Sequence, residues 1–235
     1  MCLLLGFMVS LARVTDTTRN TRSGFLQGDQ RERVNRSLVD VEEFERLSEE
    51  VARLRAEKTK LENAVASQSG QASLLNSGLQ ELKIFANLTE AEGPGIVVTL
   101  QDSPQAIKAG MESKLPGGDA TVHDTDVLRV VNELYISGAE AISVNGRRLG
   151  FGSNFRCVGP VIHVDSVPTA SPVVIRAIGD PATLSGGLNI PLGVLAEIRA
   201  SDPAMVQVEM VKKMRIPAYA GVTKRKYAVV PKDKN

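Results

Sequence analysis

The chain has no tryptophan and only six Phe and three Tyr. A surface that stacks nucleobases would have little to be built from, and no nucleic-acid partner is expected. Cysteine occurs twice, as Cys2 and Cys157, in segments of different character, which argues against a disulfide framework or a thiolate zinc site. Histidine also occurs twice, as His123 and His163, so one protomer cannot assemble a multi-histidine metal centre. No Gly-Lys-Ser/Thr follows any glycine segment, and no Ser-His-Asp constellation is suggested. With a net charge of +1 the chain has no global electrostatic pull on a partner. Neither an enzymatic activity nor a cofactor is expected.

An apolar run of about 20 residues, the length of a full bilayer span, is lacking as well. Residues 1–12 (MCLLLGFMVSLA) come nearest and are stopped by Arg13. We read 1–14 as a partial transmembrane or signal-anchor segment, which predicts a single-pass membrane protein attached through its N-terminus. Arg13, Arg19, Arg22, Arg31, Arg33 and Arg36 follow; on the positive-inside rule they would hold the rest of the chain in the cytoplasm. Residues 15–36 have no periodicity and read as a linker.

What the chain does have is a heptad. Phe44, Val51, Lys58, Val65, Ala72, Leu79 and Ala86 share one seam position, and Leu47, Leu54, Leu61, Gln68, Leu75 and Leu82 share the other. The spacing predicts a coiled-coil stalk over 37–92, whose six heptads from Phe44 to Ala86 span roughly 64 Å of helix at 1.5 Å per residue, with a local break where Gln68 and Gly70 weaken the seam. Val at a and Leu at d favour a parallel homodimer, with Leu47, Val51, Leu54, Leu61 and Val65 as the dimerisation residues. Gly93-Pro94-Gly95 is expected to end the stalk.

From there the pattern alternates. GIVVTLQD (Gly95–Asp102) is a β-branched strand, and 103–122 reads as a long loop. Asp124 or Thr125 caps a helix whose stripe is Val127, Val130, Val131 and Leu134, with Gly138 as its stop. AISV and the Asn145-Gly146 turn begin a hairpin. CVGPVIHVDS and PVVIRAIGD follow as strands. Asp180-Pro181 opens a short helix, a second helix begins near Pro191 with Asn189 as a candidate cap, and 205–214 forms the last strand. The order β-α-β-β-β-α-β predicts an α+β fold: a ferredoxin-like plait with an extra strand over 93–217, its helices on one face of the sheet. Residues 218–235 are a basic tail.

The blocks EGPGIVVTLQD, HDTDVLRVVNELYISGAEAISVNGRRL, RCVGPVIHVDS, VVIRAIGDP and IPAY, in this order over roughly Leu82 to Tyr219, resemble the bacterial YlxW/YlxX-like domain of unknown function, family 881. The resemblance implies a single-pass protein of the bacterial cell membrane, with a coiled coil and an alpha–beta plait domain outside the cytoplasm, in a family often encoded near cell-division genes. It carries no catalytic residues. The expected role is therefore a tethered scaffold with cell division as its expected context, dimerising through its coiled coil and binding a protein partner in the envelope.

Five residues are candidate ligand or partner contacts: His123, Asp126, Arg147, Arg148 and Arg156. His123-Asp124-Thr125-Asp126 has hard donors, but consecutive residues at a helix start seldom converge on one ion, and capping explains them. Arg147 and Arg148 follow a hairpin turn that can present N–H groups to an anion. Cys157 beside Arg156 reads as a small buried thiol, since strand neighbours point to opposite faces. The alternative to a scaffold is a small-ligand-binding or enzymatic domain, with the 103–122 loop over a pocket near His123 and Arg156.

Overall fold

The computed structural model describes residues 41–109, 114–115, 118–159, 161–223 and 226–229. The chain divides into two compact units, 1–47 and 48–235. In the first, the described residues 41–47 are helical. The second contains the sheets and the helices that pack on them.

The expected stalk is two helices rather than one rod. Helix α1 (41–66) ends where Ser67 N donates to Asn63 O and Gln68 N to Val65 O, and Ser69 caps α2 (Gly70–Phe85) by accepting from Ala72 N at 3.2 Å. The helices then run back along each other. Asn76 donates to Asn63 at 2.7 Å, Lys83 to Thr59 at 3.1 Å, and Lys83 pairs with Glu62. Ser67-Gln68-Ser69 offers the backbone more than a seam position occupied by Gln68 does, so the heptad breaks there. Helix α2 stops at a left-handed Asn87 (φ 62°), with Leu88 N bonded to Lys83 O.

Gly93-Pro94-Gly95 therefore does not terminate a helix. It lies inside β1 (Ala91–Leu100), at a bulge where the register against β10 (Val206–Ile216) shifts between Gly93 and Gly95. A bulge is the place in a sheet where a proline is tolerated. Gly95 is required by a close approach: a Cβ there would sit 1.9 Å from the carbonyl oxygen of Ala177.

The predicted 103–122 loop holds α3 (Pro104–Ala109) and the two-residue strands β2 (Lys114–Leu115) and β3 (Gly118–Asp119). Helix α4 (Asp124–Ile136) buries the expected stripe Val127, Val130, Val131 and Leu134. Next come β4 (Ala141–Val144) and β5 (Arg147–Arg148), joined by Asn145-Gly146, both at positive φ as a type I′ turn demands. The stretch read as one strand over 157–166 is part of a meander: β6 (Phe155–Val158), β7 (Val161–Val164) and β8 (Val167–Thr169). Asp165 and Ser166, at φ 51° and 68°, fold the second turn. After β9 (Val173–Ile178), Asp180 caps α5 (Pro181–Leu188) through Thr183 N at 2.8 Å, with Pro181 at the first position. Helix α6 (Val194–Ser201) starts from Gly193; Asn189 is the C-cap of α5 instead.

The main sheet has the order β10-β1-β9-β4-β5, each neighbour antiparallel. Alternation along the strands sorts it into two faces. On the inner face, Ile96, Val98, Leu100, Ile142, Val144, Val173, Ile175 and Ala177 are fully buried, within one cluster that also holds the stripe of α4, Leu184 and Leu188 of α5, and Leu195 of α6. The outer face carries a smaller cluster at its ends (Ala141, Ile178, Met214, Ile216) and half-buried Val97, Thr99, Val174 and Arg176 between them. The fold is α+β.

The membrane expectation is overturned as well. Among the described residues no helix is long and apolar enough to cross a membrane, so the single-pass, membrane-attached reading is withdrawn. The longest helix, α1, interleaves acids and bases with its leucines along its whole length. The apolar run 1–14 that prompted the reading, like the linker at 15–36, lies outside the described residues.

Candidate functional site

The start of α4 and the first strand of the meander meet at one cleft of about 330 Å³, lined by Asp102, Thr121, Val122, His123, Cys157, Ile162, Thr169 and Ser171 among others. His123, and not Asp124 or Thr125, is the N-cap, and its backbone N–H donates to the Asp126 carboxylate at 2.9 Å. That is one half of a capping box. Asp124 reaches across to β6: its carboxylate accepts from Cys157 N at 2.7 Å and from Thr125 N at 2.8 Å, while its own N–H approaches the Cys157 sulfur at 3.4 Å. Partial burial works against ionisation of Asp124, but these N–H groups outweigh it and hold the carboxyl below its ordinary range.

Cys157 is exposed, contrary to the buried thiol expected. It shares the covered face of the meander with its register partner Ile162 and with Thr169, both buried, but β6 is the edge strand and the cleft leaves the sulfur open, which strand alternation alone does not reveal. Partial burial of the sulfur, followed by the carboxylates of Asp124 and Asp126, pushes the thiol up despite the Asp124 N–H. A thiol in that state is a poor nucleophile. Asp102 is occupied as well, accepting from Val122 N at 2.9 Å.

The five candidate contacts are not brought together. His123 lines the cleft, and Asp126 sits behind it, accepting from the His123 backbone N–H. Arg156 is exposed on β6, in register with His163. Arg147 is half-buried and donates to Thr169 at 3.3 Å. Arg148 is buried at 3% exposure on the outer face of the sheet, bonded through Nη2 to Asn87 at 2.7 Å. Burial pushes its pKa down, against the nearby Tyr135. A buried arginine was not legible in a hairpin that reads as solvated.

The helical hairpin inverts the usual economy of an amphipathic pair. Its inner row is largely polar: Thr59 and Glu62 on α1 meet Gln80 and Lys83 on α2, Asn63 meets Asn76, Ala66 is buried at the turn, and half-buried Arg55 on the same row donates to the Tyr219 carbonyl instead. Of the expected dimerisation residues, Val51 is half-buried, whereas Leu54, Leu61 and Val65 are exposed (Leu61 by 64%), and so is Leu47 in the first unit. Leu75, Leu79 and Leu82 on α2 are exposed too. At about 100° per residue, Leu54, Leu61 and Val65 stand about a quarter-turn back from the Arg55–Glu62 row, and the α2 leucines the same angle back from Asn76. In an antiparallel pair, equal rotations of equal sign point to the same side. The hairpin thus carries one leucine face.

These features belong to a bacterial class without an assigned activity. Residues 78–229 match the model of the family described as "Bacterial protein of unknown function (DUF881)", and the chain belongs to that family. It is 36% identical over 141 residues to UPF0749 protein YlxW of Bacillus subtilis, covering 58% of this chain and 57% of that one. UPF0749 protein Rv1823 of Mycobacterium tuberculosis is 30% identical over 178 residues, 74% of this chain and 58% of its own. The chain therefore spans somewhat under three fifths of these curated relatives. A crystal structure of an uncharacterized conserved protein from Mycobacterium tuberculosis is similar, with a TM-score of 0.50, 28% identity, and coverage of 65% of this chain and 99% of that one.

Proposed function

We propose that this chain is a non-enzymatic assembly protein: a ferredoxin-like α+β unit whose helical hairpin pairs with the hairpin of a second copy, leucine face to leucine face. The observation that carries this reading is the inverted hairpin. Six exposed apolar side chains, Leu54, Leu61, Val65, Leu75, Leu79 and Leu82, form one stripe of several hundred Å², a size that monomeric proteins rarely leave open. Two such faces give a four-helix bundle, in place of the two-stranded parallel coil that the heptad alone suggests. The largely polar inner row leaves the leucines as apolar surface that pairing would bury; Ile84 and Phe85, also exposed, lie off this stripe at the end of α2.

The strand order and the all-antiparallel pairing support the plait: β1, α4, β4, β9, α5 with α6, and β10 follow its β-α-β-β-α-β course, and β5 to β8 are inserted between its second and third strands. The non-enzymatic part of the reading rests on the cleft, where His123, Asp124 and Asp126 are engaged in capping and in holding β6, and the thiol is not activated. Sedimentation equilibrium of the full chain at micromolar concentration tests the assembly. Twice the monomer mass is expected, falling to the monomer in Leu61→Glu/Leu82→Glu with the far-ultraviolet circular dichroism retained. A wild-type monomer would sink the proposal.

A further inference from the structure

Ser143 stands between two arginines. In register across β5, β4 and β9, Arg148 faces Ser143 and Ser143 faces Arg176. Directly paired residues of antiparallel strands carry their side chains on one face, here the outer face, opposite the buried stripe of α4, with Tyr135 near the end of α4 approaching Arg148 at the sheet edge. Arg148 is 3% exposed and Ser143 1%. One nitrogen of the guanidinium has a partner, Asn87 Oδ1. Its Nε and Nη1 have no hydrogen-bond acceptor, and Ser143 Oγ is without a partner as well; so is Thr89 Oγ1, two residues along from Asn87. Among the described residues, the four unpaired buried side-chain polar atoms are these four. Arg176, half-buried beside them, makes no hydrogen bond or ion pair with a described residue.

A buried guanidinium with two unused donor directions is costly, because each stripped N–H forfeits its water without replacement. The same row of the sheet has no adjacent carboxylate to compensate. Its acid, Glu209 on β10, is separated from Arg176 by Val97 of β1, about 10 Å at ordinary strand spacing. Arg148 and Arg176 are themselves two strands apart, close enough for both long side chains to converge above Ser143. The donors then come from three sides: a fork from either flank and hydroxyls between. A planar carboxylate satisfies one fork, whereas a tetrahedral oxyanion has an oxygen for each.

We propose that Arg148, Ser143 and Arg176 form a binding site for a tetrahedral oxyanion of the phosphate class, with Arg148 at the closed end and Arg176 at the open one. The site lies on the sheet, apart from the leucine face, and goes beyond the assembly reading. Inorganic phosphate and a small phosphomonoester share this chemistry.

Thermal melting of the full chain with potassium phosphate, at ionic strength held constant with potassium chloride, tests it. A saturable rise in Tm with phosphate and with sulfate is expected, and none with acetate. Arg176→Gln, at a half-exposed position where folding is preserved, should weaken the apparent affinity by about tenfold or more. Arg148→Lys, which keeps the charge and loses the fork, should do the same. Broadening of the phosphorus-31 resonance by wild type and not by Arg176→Gln reads binding directly. Tighter binding of glycerol phosphate than of inorganic phosphate assigns the site to an organic phosphate, and equal binding to the free ion. A phosphate effect equalled by acetate or chloride, or undiminished in Arg176→Gln, overturns the proposal.

Discussion

Asp124 and Cys157 hold each other from both sides: the Cys157 N–H donates to the Asp124 carboxylate at 2.7 Å, and the Asp124 N–H lies 3.4 Å from the Cys157 sulfur. The pair fastens the start of α4 to β6, and thereby the meander to the domain core.

Its first consequence is chemical. Although Cys157 is exposed, partial burial of the sulfur and the two nearby carboxylates push the thiol up, so little thiolate is present near neutrality. In a Cys2→Ser background, alkylation by iodoacetamide at pH 8 should be slower than for an unperturbed thiol, and Asp124→Asn should accelerate it by about 3- to 10-fold. Equal rates in the two proteins would show that Asp124 does not govern the thiol.

The close approach of β1 and β9 makes a second prediction. Gly95→Ala places a methyl group against a backbone oxygen, Ala177 O, which cannot step aside. At Gly93 the added carbon would meet a side-chain atom instead, the γ-methyl Cγ2 of Ile178 at 2.8 Å, which a small side-chain shift relieves more easily than a backbone clash. Denaturant unfolding should find Gly95→Ala destabilised by more than about 3 kcal/mol and Gly93→Ala by markedly less.

Ser103 and Asp202 form a buried link between the end of β1 and the turn into β10. The Ser103 hydroxyl donates to the Asp202 carboxylate at 2.6 Å and accepts from Ala106 N at 3.2 Å. That hydrogen bond, with the Ala204 N–H, holds Asp202 below the ordinary carboxylate range. A carboxyl depressed on folding stabilises the protein above its unfolded pKa of about 3.9 and loses that contribution as pH falls through the folded value. Wild type should therefore melt above Asp202→Asn at pH 6, with the gap closing toward pH 3. A gap that does not change with pH would refute the charge-dependent role.

Core and leucine face should separate cleanly. Leu184 is fully buried between α5 and the sheet, so Leu184→Ala should cost about 2–5 kcal/mol and leave the assembly state unchanged. Leu61→Glu should alter the sedimenting mass and shift the stability of the monomeric form only slightly. Loss of assembly by the first, or deep destabilisation by the second, would reverse these assignments.

Much of the α+β unit was legible because its signals are local. Val127, Val130, Val131 and Leu134 mark a buried stripe by spacing alone, Gly138 and Asn145-Gly146 need only their own backbone freedom, and Asp180-Pro181 carries its own cap. The meander was harder. Residues 157–166 have one strand-like composition throughout, and the turn at Gly159 divides it into two strands that pair with each other. Gly93-Pro94-Gly95 reads as a helix stop, and only the pairing with β10 shows it to be a bulge inside a strand. The candidate contacts were scattered for the same reason, since register across β4, β5 and β9 sets Arg148 beside Ser143 and Arg176, and register is a property of pairing.

By itself the sequence determined the element types, the apolar stripe of α4, the turn chemistry and the family blocks, because these depend on residues within a turn or two of each other. It also determined that leucines recur every seven residues. Which surface they face was decided by tertiary structure: a break at Ser67-Gln68-Ser69 folds the helix back so that polar residues meet inside and the leucines turn out. The burial of Arg148 was decided in the same way, by the strand opposite it and the Asn87 segment. Local chemistry selects the elements; the partners that each element meets select what its side chains can do.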